Sequence, residues 1–72
     1  MKGDIYDPKA LIREAYIIEN ITRSECRSIF LDWALSLPIE QDPKTSIQNL
    51  LERYKSEFSD HPMTETLEEG LL

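Results

Sequence analysis

The sequence predicts an all-α fold, a small three-helix bundle in which a short fourth C-terminal helix is open. Three observations predict it. Apolar residues recur at helical spacing in three separate segments. Each segment opens on a recognisable start signal: Asp7-Pro8, Thr22-x-x-Glu25 and Asp42-Pro43. No strand-like alternation persists anywhere, and the chain holds only 2 glycines. At 72 residues it makes a single domain, 1–72, close to the lower size at which one core suffices without disulfides or metal.

The first helix is expected over about 8–19. Asp7 can accept from the free N–H groups of a first turn, and Pro8 lacks the N–H that would go unpaired there. Leu11, Ile12, Ala15, Tyr16 and Ile18 then share one side, Ile17 points away, and Asn20 is a left-handed terminator.

The second helix, about 23–37, carries the clearest local signature. Thr22 and Glu25 form a capping box, and Ile21 with Cys26 occupies the two positions of a hydrophobic staple. Pro38 ends it. So short a joint makes the first two helices neighbours. The third helix, about 43–58, repeats the Asp-Pro-Lys opening of the first. Its apolar stripe is narrow: Ile47, Leu50, Leu51, Tyr54 and Phe58, with a solvated back. Arg53 and Glu57 are four apart in the less favourable order. The tail from Ser59 allows two readings. Pro62 as a first residue, Gly70 as a stop and Met63, Leu67 and Leu71 at four-residue spacing describe a helix near 62–69. Glu68 and Glu69, where the dipole prefers cations, describe a mobile acidic tail instead.

Composition excludes several function classes. The net charge is −6, and the last fourteen residues hold Asp60, Glu65, Glu68 and Glu69 with no lysine or arginine. A chain without a basic stripe is repelled by phosphate backbones and anionic membranes, which predicts neither nucleic acid nor membrane as partner. There is no signal-like apolar start and no run near the ~20 residues of a membrane span. With 1 cysteine no internal disulfide forms, and the expectation is a soluble, cytoplasmic protein.

No motif predicts an active site, cofactor, metal or small-molecule ligand. The calcium loop, the phosphate-cradling loop and the nucleophile elbow all require glycine patterns that Gly3 and Gly70 do not make. Cys26 has Arg23, Arg27 and a helix N-terminus beside it, which favour a thiolate, but it shares the face of Phe30, Trp33 and Leu37. A redox protein or enzyme built on Cys26 is therefore the alternative reading. His61 reads as an exposed or capping histidine. A helix-turn-helix on the second and third helices would offer Lys44, Gln48 and Lys55 to DNA, together with Glu52 and Glu57.

What remains is a surplus. The run CRSIFLDWALSLP, Cys26 to Pro38, is apolar around most of its circumference. Cys26, Ile29, Phe30, Trp33 and Leu37 commit one face to the core. Leu31 and Leu35 form a flank that needs another cover. Met63, Leu67 and Leu71 folding over it, a second copy of the chain, or a separate protein are the three occupants. The residues FLDWALSLP, the following Asp-Pro and the closing HPMTETLEEGLL together resemble short uncharacterised bacterial proteins over most of the chain. That resemblance implies a compact bacterial helical domain and no active residue. The function expected is a non-enzymatic interaction or regulatory module, with Leu31 and Leu35 as the candidate interaction surface and a protein partner or homodimer on the second helix.

Overall fold

The computed structural model describes residues 3–72. They form four helices and no named strand: α1 (Leu11–Ile17), α2 (Arg23–Ser36), α3 (Pro43–Tyr54) and α4 (Pro62–Glu69). The result is a small helical bundle, with Trp33, Ile12, Ile47, Leu50, Met63 and Leu67 at its centre.

Local chemistry explains each start. Thr22 Oγ1 accepts from the Glu25 N–H at 3.1 Å while Glu25 Oε1 accepts from the Thr22 N–H at 2.9 Å, so both halves of the capping box are made. Ile21 and Cys26 are both buried in the core. Asp42 accepts from the Thr45 N–H at 3.2 Å, with Pro43 as the first helical residue of α3.

The first helix departs from expectation at both ends. It starts at Leu11, not Pro8, because Asp7 is already engaged in a turn. Asp4 Oδ1 accepts from the N–H groups of Tyr6 and Asp7, and Asp7 exchanges backbone hydrogen bonds with Asp4. The chain then passes Ala10 in a left-handed conformation (φ 56°) before the helix begins. Asp7 still serves α1, from further away than a cap: its carboxylate accepts from the N–H groups of Ile12 and Arg13 at 3.2 and 3.1 Å. At the other end α1 stops at Ile17. Ile18 is extended and 46% exposed, so it does not join the apolar face assigned to it. Asn20 is left-handed, φ 57°, and turns the chain into Thr22.

The third helix ends at Tyr54, four residues before Phe58. The Tyr54 carbonyl accepts from both Glu57 and Phe58, which tightens the chain out of the helix. Phe58 then joins a ring cluster rather than the α3 stripe. Arg53 does not reach for Glu57; it pairs with Asp4 at 2.8 Å and ties the N-terminal arm to α3.

The C-terminal residues form a docked helix. Met63 and Leu67 are fully buried, and α4 packs chiefly on α2 and next on α3. Glu68 and Glu69, unfavourably placed for the helix dipole, are offset by Lys55 and Arg23, which pair with them. Gly70 does not act as a left-handed stop, since its φ is −66°. It is needed for space: a Cβ there would lie 2.8 Å from Phe30 Cζ and 3.0 Å from Ile47 Cδ1.

Candidate functional site

The two faces of α2 have different fates. Cys26 and Trp33 are fully buried, and the Trp33 indole N–H donates to the Tyr6 carbonyl at 2.7 Å. Leu31 and Leu35, by contrast, are 63% and 85% exposed. One step along a helix turns a side chain by about 100°, so Leu31 points well away from its neighbour Phe30, against which Gly70 sits. Arg23, also on the α4 side, pairs with Glu69 at 2.8 Å and Glu65 at 3.5 Å.

This overturns the expectation that the tail folds over Leu31 and Leu35. The reason is arithmetic on a short helix. The two residues of α4 that could cover a flank, Met63 and Leu67, are spent on the core. Leu71 is half-buried and packed against the core as well. Nothing apolar on α4 is left for the outside of α2.

Two shallow grooves lie by the C-terminal end of α2. Leu35 lines a shallow groove with Lys9, Leu11, Asp32 and Ser36. A second groove brings Ile5 and Pro8 of the N-terminal arm to Pro38, Glu40 and Gln41 after α2. Ile5 is 62% exposed and Ile39 fully so. Exposed apolar side chains thus gather toward the C-terminal end of α2, with Lys9, Asp32 and Glu40 as charges of both signs around them. Both grooves are open to solvent.

The other candidate residues occupy structural positions. Cys26 is fully buried, and burial together with the neighbouring Glu25 charge pushes its thiol up. Of the two arginines expected to favour a thiolate, Arg23 is committed to Glu65 and Glu69. His61 caps α4, its Nδ1 accepting from the Met63 N–H at 3.0 Å. Lys55, one of the cations a DNA-reading α3 would present, is paired with Glu68. Among the described residues no group of three or more histidine, cysteine, aspartate or glutamate side chains is placed to hold a metal. No helix of the described residues is long and apolar enough to cross a membrane.

Sequence reasoning missed a polar relay between α1 and α4. Tyr16 Oη lies 2.6 Å from Thr64 Oγ1, and Thr64 donates to the Phe58 carbonyl at 2.9 Å. Thr64 has one proton, so Tyr16 must be the donor to it. Burial pushes the Tyr16 phenol up to about 12. The Tyr16 ring stacks on Tyr54 (4.3 Å) and lies against Phe58 and His61. The usable signal was the aromatic spacing of Tyr54, Phe58 and His61, whose common partner on α1 is too distant in sequence to infer.

Compared with protein-family models, curated proteins and solved structures, the chain matches none.

Proposed function

We propose that this chain is a small non-enzymatic interaction or regulatory module that engages a protein through the outer flank of α2. The observation that carries the reading is the exposure of Leu31 and Leu35 on consecutive turns of the longest helix. The inward turn of the remaining large apolar residues of α2 adds to it. The lone buried thiol fits a cytoplasmic setting, and the resemblance to short bacterial proteins fits a bacterial one.

Magnitudes shape the kind of contact. Burying both leucines would contribute roughly 2–4 kcal/mol, at or below the ~4–15 kcal/mol that association costs. The partner must therefore extend onto Ile5 and Ile39, and even so the complex belongs to the small, transient class.

The experiment is site-specific photo-crosslinking in cells from position 31 or 35, with position 52 on the solvated back of α3 as control. A discrete adduct from 31 and 35 and none from 52 supports the reading. Equal or absent labelling from all three rejects it. Sedimentation over a range of concentrations then tells a second copy from a separate protein. Leu31→Glu and Leu35→Glu should each leave the monomer folded. Unfolding by either would mean that the flank is core.

A further inference from the structure

The first turn of α4 is held by an imidazole. Because His61 Nδ1 accepts from the Met63 N–H, the ring must be neutral with its proton on Nε2. The ring lies 4.6 Å from that of Tyr16 and 6.0 Å from that of Phe58, in edge contact with the latter. Pro62 offers no N–H and Met63 is the first buried residue of α4, so this hydrogen bond sits where the helix enters the core. Exposed ion pairs also hold α4, Arg23 with Glu65 of the first turn and with Glu69 of the last, and Lys55 with Glu68.

The imidazole cap is the attachment that protonation on the acid side of neutral pH removes. His61 is the 1 histidine of the chain. Tyr16, which faces it from α1, stays neutral throughout this range. Tyr54 of α3 stacks on Tyr16 rather than on His61, Asp60 precedes it, and Glu65 is turned to Arg23. Burial alone holds the imidazole below its ordinary value of 6.5.

We propose that α4 is an acid-sensitive latch on the core, and that protonation of His61 is what loosens it. The charged ring presents N–H at both nitrogens, so the Met63 donor loses its acceptor and meets another donor. The sign follows from a folded-state value lowered relative to the unfolded chain. The cap is fully present above about pH 6.5 and is lost as pH falls through the lower folded value. Loosening begins at the His61 cap, while the ion pairs of Glu65, Glu68 and Glu69 still hold the outer side of the helix. Further opening uncovers the side of α2 where Phe30 meets Gly70.

Native-state hydrogen exchange at pH 7 and pH 5 tests this, with protection expressed relative to intrinsic rates. Wild-type α4 amides should lose about fivefold protection relative to α2 and α3 at pH 5, the scale of one helix cap. His61→Asn keeps a side-chain acceptor that does not titrate, so its α4 protection should be the same at both values. An NMR titration of the wild type should move the Met63 amide with the His61 ring at one midpoint below 6.5. The proposal is overturned by α4 amides that weaken only in step with α2 and α3, by the same drop in His61→Asn, or by a Met63 amide indifferent to His61.

Discussion

The indole N–H of Trp33 donates to the carbonyl oxygen of Tyr6 at 2.7 Å, and this bond fastens the N-terminal arm to the last turn of α2. Trp33 is fully buried, so its N–H needs a partner. The arm's other attachments are the Asp7 carboxylate, which accepts from the Ile12 and Arg13 N–H groups, the packing of Tyr6 against the core, and an exposed ion pair from Asp4 to Arg53.

Trp33→Phe should therefore destabilise the fold by roughly 2–4 kcal/mol, combining a void in the core with a carbonyl left unpaired. Urea unfolding followed by circular dichroism measures the loss. Amide exchange distinguishes its origin, since Asp7 and Ala10 should lose more protection than α3. Uniform loss would show that the arm does not rely on the indole.

Gly70→Ala separates two effects of opposite sign. Gly70 is the C-cap in a right-handed conformation (φ −66°), where alanine is favoured by about 0.4–1 kcal/mol through the unfolded chain. The new methyl would lie 2.8 Å from Phe30 Cζ and 3.0 Å from Ile47 Cδ1, forcing at least one side chain to move. We expect overcrowding to win, with a net loss of about 1–2 kcal/mol. Phe30→Leu in the same chain should recover part of it, and a double-mutant cycle reads that coupling directly. Additive losses would mean that the two positions do not compete for space.

The Tyr16 phenol predicts an alkaline limb of stability. Burial raises it from 10.0 to about 12, so the folded chain holds its proton more tightly than the unfolded one. Its contribution is complete below pH 10 and disappears as pH rises toward 12. Tyr16→Phe should flatten stability between those values, at the expense of the hydrogen bond to Thr64. An unchanged pH profile in the variant would assign the limb to other groups.

How much of this was legible depends on how far apart the interacting residues lie. Thr22 with Glu25 and Asp42 with Thr45 act within one turn, and these starts are read correctly from the chain. The commitment of Cys26 and Trp33 to the core follows from periodicity. The first helix begins later than its Asp-Pro signal indicates because Asp4 engages Asp7 before a helix can begin at Pro8. The third ends at Tyr54, short of its apolar stripe, because Phe58 is drawn to Tyr16 and His61, contacts a local pattern cannot see. The spacing of Met63 and Leu67 revealed that the tail has an apolar face, but not which side of α2 would receive it. For Leu31 and Leu35 the sequence identified a surplus, and the fold leaves that surplus uncovered.

The two Asp-Pro-Lys openings give a last prediction, because identical residues do different work. Asp42 caps α3 from full exposure, with Thr45 Oγ1 at 2.8 Å as a second donor and water as an alternative partner. Asp7 is 2% exposed and accepts from Ile12 and Arg13, and the Ile12 amide belongs to a fully buried residue. Removing Asp7 strands donors that water does not readily reach, whereas removing Asp42 exposes donors that water can satisfy. Asp7→Ala should cost roughly 2–3 kcal/mol, and Asp42→Ala clearly less. Asp7→Asn, which retains an acceptor oxygen, should fall between wild type and Asp7→Ala. Thermal unfolding of the three variants at neutral pH ranks them. Equal losses at Asp7 and Asp42 would mean that burial of the first carboxylate does not set its contribution.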